Sequence, residues 1–433
     1  MLGRAGLVVV LLLFLVGGCN GAIFAPPITA PPAPTSVPLA SRAPTVAPSL
    51  RPSAPPTSES PVSPTSPPAE PTARPATPAP SPNPTRIVPP PEPVALPPGF
   101  AISVYAADLS DPRMLALGPD GQLYVAERGK GRIVRLPDRD GDGVADGIEV
   151  VADGLQAPSS IAFDRGGALY VGETGRILRL SAPDAQGVFQ VREVLVTGLP
   201  RGGHNTRTVL LSPDGQWFYV SVGSFCNVCL EDDERRATIM RYTQDGESGA
   251  VYARGLRNAV GITFRPDTDE LWATNNGRDF LGDDQPPETI NLVREGDDFG
   301  WPRCHAGRIV DPDFGSPGAC DGVAPPAVEM QAHSAPLGLT FYSGTRFPAE
   351  YQGSLFVAFH GSWNRSVPTG YKIVRIPFQD GQPGPVEDFA TGWLRADGSW
   401  WGRPVDVLTA PDGSLWVSDD GGGRIYRVYY RGE

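Results

Sequence analysis

Residues 115–136 read LALGPDGQLYVAERGKGRIVRL: an apolar strand start, a PDG turn, an alternating strand, a short glycine turn and a basic-apolar strand. Period-two alternation broken by Gly and Asp turns is the pattern of antiparallel strands. The theme returns as IAFDRGGALYVGETGRILRL (161–180), VLLSPDGQWFYVSVGS (209–224) with ATIMRY, and ITFRPDTDELWATNNGRD (262–279) with ETINLV. Two further copies are LTFYSGTRFPAEYQGSLFVAFHG (339–361) with YKIVRI and VLTAPDGSLWVSDDGGGRIYRVYY (407–430). Six copies at such long spacing predict an all-β, six-bladed β-propeller. An open last blade would leave an unpaired edge, so Phe100–Ala106 (FAISVYA) is the expected closing strand beside Arg424–Tyr430.

Outside the repeat the composition changes. Of the 50 prolines, 27 fall in residues 25–98, a segment with no aromatic side chain. Such a stretch buries too little apolar area to offset its chain entropy and reads as a semi-rigid tether, which puts the propeller at 99–433. Before it, residues 1–24 read as an export signal: Arg4, the apolar run Leu7–Val16, then Val-Gly-Gly-Cys ending at Cys19. That ending resembles a bacterial lipobox, which would lipidate Cys19 and leave the chain extracytoplasmic, at the cell surface or in the periplasm; an ordinary signal peptide is the alternative. The formal charge of −12 argues against nucleic acid or an anionic membrane surface as the main partner, leaving a lipid anchor as the membrane contact. Oligomeric state is not legible.

Four cysteines remain after Cys19, and in an exported chain they pair most simply as Cys226 with Cys229 and Cys304 with Cys320. Zinc at Cys226 and Cys229 is the competing reading. The long segment between Asn275 and His333 departs from the repeat and reads as a lid over the channel or as structural padding.

Two loops carry chemistry-bearing residues to equivalent places. RGGHNTR leads His204 into a strand, and RGLRNAVG offers Arg257 and Asn258 at the corresponding point of the next copy. Imidazole moves protons near neutral pH, so His204 is the candidate base. Asp138–Glu149, DRDGDGVADGIE, has the spacing of a calcium loop, with ligands at Asp138, Asp140, Asp142, the Val144 carbonyl, Asp146 and Glu149. Strands flank it, so it reads as a structural calcium clamp.

From Leu96 onward the chain resembles the PQQ-dependent soluble glucose/aldose sugar dehydrogenases, especially the sorbosone dehydrogenase-like branch. The carriers are RGGHNTR, GLRNAVGITF, GRDFLGDDQPPETINLV with DFGWP, AHSAPLGLTFY, HGSWNR with PTGYKIVRI, and GRPVDV with PDGSLWVSDD. The resemblance implies PQQ bound through Ca²⁺, oxidation of a small sugar, and electrons passed to an external acceptor, a cytochrome or a quinone. It places His204 as the general base, with Arg257 and Asn258 beside the reacting carbonyl. It places backbone oxygens of Gly277, Arg278 and Asp279 at the cofactor calcium, and Arg365, Lys372, Arg403 and His333 around the quinone. Val405 stands where glucose dehydrogenases have a second arginine, and HGSWNR where they have a lysine, departures that point away from glucose itself. Two other readings compete: a calcium-dependent lactonase, which needs carboxylates and asparagines converging at the channel, and a non-catalytic propeller that binds sugar or protein.

Overall fold

The structure, a computed structural model, describes residues 85–432. The export signal, Cys19 and the tether up to residue 84 lie outside the described residues. Six four-stranded antiparallel sheets follow one another in chain order: blades 1 to 6 span 112–152, 160–197, 209–254, 262–330, 336–390 and 404–430, the last completed by Phe100–Ala106. Among the described residues the only helical pieces are two 3-10 turns, Arg128–Lys130 and Ala349–Tyr351. The six-bladed propeller expected from the repeat is therefore the fold.

Closure occurs where the unpaired edge required it. Phe100–Ala106 pairs antiparallel with Arg424–Tyr430, Phe100 opposite Tyr430 and Val104 opposite Tyr426. The Phe100 ring meets Phe347, Tyr351 and Phe389 of blade 5 and Tyr430 of blade 6 edge-on, at 4.8 to 5.1 Å between centroids. That clamp ties the first strand to the last two blades. Phe100→Ala is expected to destabilise the fold by about 3 kcal/mol, the lower end for a Phe-to-Ala change, read as a lowered urea midpoint with unchanged slope. A change under ~0.5 kcal/mol would mean that the strand pairing alone closes the ring.

Residues just before Gly99 also lie on the propeller. Val88 accepts a hydrogen bond from the Val104 amide, Ala95 bridges to Thr391, and Glu92 pairs with Arg395.

A recurring acid fixes the loops between blades. Glu127, Glu173 and Asp419, each ending the second strand of its blade, are fully buried and accept the amides of Ser110, Gln156 and Arg403 at 2.8, 2.6 and 2.7 Å. Burying a carboxylate is costly unless it is hydrogen-bonded, so each is a fixed latch on its loop. In blades 3, 4 and 5 the second strand ends instead on Val222, Asn275 and Phe359.

The long segment of blade 4 divides in two. Residues 276–287 join its second and third strands, while 294–327 join its third and fourth and carry the ribbon Cys304–His305 with Ile309–Val310. Both predicted disulfides are formed, so Cys226 and Cys229 are bridged to each other.

Candidate active site

The first strand of every blade lines the central channel, and the loops entering these strands open at one mouth of the ring. Arg113 enters blade 1, His204 and Thr206 blade 3, Arg257 and Asn258 blade 4, His333 and Ala335 blade 5, and Arg403 blade 6. All line one cavity of about 250 Å³, together with Asn276, Gly277, Asp279, Glu288 and the 360–364 loop. A second cavity, about 270 Å³, follows the channel between the inner strands and is walled chiefly by apolar and hydroxyl side chains. Of these two cavities, the mouth is the one that gathers titratable groups in number.

His204 is held by its Nδ1, 2.9 Å from the Ser224 carbonyl and 3.0 Å from its Oγ. The carbonyl can only accept, so Nδ1 carries the proton and Nε2 keeps its lone pair. Burial, then the Arg257 charge, pushes the His204 pKa down to about 4. The imidazole is therefore neutral at neutral pH and ready to accept a proton.

Arg257 is held by several partners at once. Its guanidinium donates to Asp279 (2.9 Å) and to both the carbonyl (2.9 Å) and Oδ1 (3.0 Å) of Asn227. Asn227 also exchanges hydrogen bonds with the Asp279 backbone, accepting at 2.8 Å and donating at 3.0 Å. The Cys226–Cys229 disulfide brackets this asparagine, so a four-residue loop pins arginine and aspartate together. Asn227→Ala is expected to weaken retention of any anion at Arg257 about tenfold while leaving far-ultraviolet dichroism unchanged, a loss of the order of one charged hydrogen bond. Unchanged retention would show that Asp279 alone positions the guanidinium.

Glu288 receives the Gly277 amide at 2.6 Å and the Ala335 amide at 3.3 Å, and burial raises its pKa to about 7. His360 donates Nε2–H to Asp420 at 2.9 Å, and Arg113 pairs with the same carboxylate. Burial works against the Asp420 charge, but His360 and Arg113 outweigh it and hold its pKa at about 2. Arg403 donates to the His360 carbonyl at 3.2 Å and lies over the Trp400 ring.

The predicted residues are not all brought together. His204, Arg257, Asn258, Gly277, Asp279, His333 and Arg403 share the cavity wall. Arg278 instead turns its side chain to Asp311 and Asp313. Arg365 braces the rim through the Asp283 and Ala332 carbonyls, and Lys372 sits on a blade 5 strand paired with Asp388, so neither lines the cavity. In the acidic loop the carboxylates of Asp138, Asp140 and Asp142 gather, their oxygens within 4.8 Å of one another. Glu149, however, is bound by Arg135 and Arg139, and Asp146 accepts the Arg139 amide, so these two carboxylates are held by arginine instead.

Several cavity residues escaped the sequence reading: Arg113, Glu288, His360 and Asn364. Arg113 had a signal, since PRMLALGPDG places it ahead of its turn proline much as Arg257 and Arg403 stand ahead of theirs.

Residues 92–420 match a family described as a domain of unknown function, DUF7133. The chain belongs to the DUF7133 family. This DUF7133 chain is 28% identical over 398 residues to the pyrroloquinoline quinone-dependent pyranose dehydrogenase of Coprinopsis cinerea, covering 76% of itself and 54% of that protein. It is 38% identical over 232 residues to an uncharacterized protein of Borreliella burgdorferi, covering 52% of itself and 61% of that protein. The chain thus spans between half and two thirds of the length of these relatives. The PQQ domain of the Coprinopsis cinerea pyranose dehydrogenase superposes with a TM-score of 0.69 at 24% identity, over 78% of this chain and 98% of that one, and so shares the propeller fold. The resemblance to PQQ-dependent sugar dehydrogenases is borne out; its sorbosone-like branch is not singled out.

Proposed function

We propose that the chain is a PQQ-dependent dehydrogenase that oxidises an aldose or sorbosone-like sugar and passes the electrons to a separate acceptor, a cytochrome or a quinone. The observation that carries this reading is the convergence of a neutral His204 with Arg113, Arg257 and Arg403 in one cavity.

The wall fits an anionic planar cofactor. Three guanidinium groups face the space, and the Arg113 Nε is buried without a hydrogen-bond partner, a donor awaiting an acceptor. Oxygen donors for Ca²⁺ stand in the same wall beside Arg257: the carboxylates of Asp279 and Glu288 and the backbone of Gly277. When bound, the quinone supplies a two-electron sink. His204 Nε2 takes the proton from the sugar hydroxyl as the carbon-bound hydrogen leaves, and Arg257 stabilises the negative charge that develops. Asn227 and Asp279 keep Arg257 from reorienting during that step.

The test is reconstitution. The full chain with PQQ and Ca²⁺ should acquire a cofactor absorbance and reduce a redox dye with at least one aldose, with both requirements absolute. Failure to bind PQQ at micromolar concentration would remove the reading. A calcium-dependent lactonase is favoured by one observation, the presence of Asn258, Asn276, Asp279 and Glu288 in the same wall. Lactone hydrolysis without PQQ, abolished by chelator, would establish it instead. A lipid anchor at Cys19 and an extracytoplasmic location complete the proposal, supported by the apolar run and the Val-Gly-Gly-Cys ending. Labelling of the chain with a fatty-acid analogue, lost in Cys19→Ala, is the check.

A further inference from the structure

The two disulfides are placed differently. Cys304 is fully buried, whereas Cys226 and Cys229 are both half-buried, on the loop 223–237 between the second and third strands of blade 3. Phe225 and Leu230, which flank this second bridge, are 59% and 73% exposed, so it is approached from solvent over an apolar surface. Access decides whether a disulfide exchanges with an external thiol, and a buried sulfur is shielded from that reaction.

The bridged segment holds two groups of the site at once. Ser224 Oγ donates to the Cys226 carbonyl at 2.7 Å, and the same serine fixes His204 Nδ1. Asn227, between the cysteines, accepts through its carbonyl from Arg257 and, at 3.3 Å, from the Trp301 indole N–H. Its side chain joins Arg257 to the Asp279 backbone. Residues 223–237 contain neither strand nor helix, so the covalent bridge rather than a ladder of backbone bonds holds their shape. Opening it returns conformational freedom to the segment, and every bond that Asn227 makes must then form against that entropy.

We infer that the Cys226–Cys229 bridge is a reversible thiol switch on the site: reduction by an external dithiol frees Ser224 and Asn227 and so loosens His204 and Arg257 together. A thiolate of the reductant attacks Cys229 Sγ, the bond between the two cysteine sulfurs breaks, and Cys226 Sγ leaves. The Glu231 carboxylate, 3.9 Å from Cys229 Sγ, disfavours a departing anion at that end. The second thiol of the reductant then displaces Cys229 and closes a disulfide of its own. Two electrons enter the chain, and the two protons that the dithiol gives up end on Cys226 and Cys229. The inference rests on the dehydrogenase reading for what the switch turns off and not for the switch itself.

The experiment uses the full chain without cofactor and then loaded with PQQ and Ca²⁺. Millimolar dithiothreitol at neutral pH, followed by alkylation and peptide mass spectrometry, should open Cys226–Cys229 at least about tenfold faster than Cys304–Cys320. Repeating the reaction with reduced thioredoxin separates a protein source of the dithiol from a small-molecule one, and Leu230→Ser should slow the protein alone. In the reduced, unloaded chain the Trp301 indole N–H should exchange with solvent at least about tenfold faster. The His204 midpoint should rise from about 4 towards the ordinary value of about 6.5 as water reaches the ring. Oxidised glutathione should reverse both changes. Cys226→Ser combined with Cys229→Ser should reproduce the reduced state without any response to dithiol, and reduced wild type capped with iodoacetamide supplies that state if the variant does not fold. In the loaded enzyme, reduction should lower kcat at least about tenfold and reoxidation should restore it. Both bridges opening together, or Cys226–Cys229 opening only in urea, would overturn the switch. So would an opened bridge that leaves Trp301 exchange and the His204 midpoint unmoved, or a loss that reoxidation does not restore, since reduction would then simply unfold the chain. If PQQ never binds and no dye is reduced, the dehydrogenase reading fails, while Trp301 exchange and the His204 midpoint still decide the switch.

Discussion

His204→Ala is expected to lower kcat by about 10²- to 10⁴-fold with PQQ retention unchanged, the range for removing a positioned general base. The basis is the state of the ring: Nδ1 is committed to Ser224, His204 lines the cavity, and burial beside Arg257 keeps the imidazole uncharged. The pH consequence has a definite sign. Protonation destroys the lone pair, and the folded pKa of about 4 lies below the ordinary value of about 6.5, so the unloaded chain keeps a neutral His204 until strongly acid pH. The same shift makes the unfolded state the better proton acceptor, so this group's contribution to stability is intact above about pH 6.5 and declines as the pH falls towards 4. An NMR titration of His204 in the unloaded chain should show a midpoint near 4. A midpoint near 6.5 would mean a solvated ring and would remove the argument for a poised base. An anionic cofactor placed against it should raise that midpoint, because opposite charge favours the imidazolium.

How far the sequence reaches is clearest at residues where it succeeds and fails side by side. The blades were legible because each repeats the same alternation and PDG turn, and the unpaired edge of 424–430 required a partner that only Phe100–Ala106 resembled. His204 and Arg257 were legible because equivalent loops of successive blades must open at the same mouth. The side-chain directions around them were not, since neighbours in an extended loop point to opposite sides: Asp279 faces the cavity, and the Arg278 guanidinium faces Asp311 behind it. The acidic loop met every spacing requirement for calcium, but Glu149 also begins a strand, and pairing places it directly opposite Arg135, which captures the carboxylate. Long-range register decides that contact, and no window of twelve residues contains it. Glu288 and Asp420 look like ordinary strand and turn acids in one dimension. Their role depends on which amides and cations the ring closure brings against them.

Arg257→Met should have the second large effect, and its value lies in separating fold from function. The Arg257 side chain is 6% exposed and its partner Asp279 15%, so removing the guanidinium leaves a carboxylate buried close to Glu288. Breaking one half of a buried pair typically costs about 3–5 kcal/mol, which at neutral pH should appear as a lowered urea midpoint for unfolding. Cofactor retention should also be lost, and from the single variant alone the two losses are inseparable. Adding Asp279→Asn removes the stranded charge while keeping the hydrogen-bonding shape, because its backbone bonds to Asn227 are untouched. The double variant should regain most of the stability, since a neutral amide is far cheaper to bury than an unpaired carboxylate. It should still fail to hold PQQ, because neither the guanidinium nor the Asp279 carboxylate offered to Ca²⁺ has been returned to that side of the cavity. A double variant that binds PQQ as the wild type does would show that Arg113 and Arg403 suffice for the anion, and that Arg257 is there to neutralise Asp279.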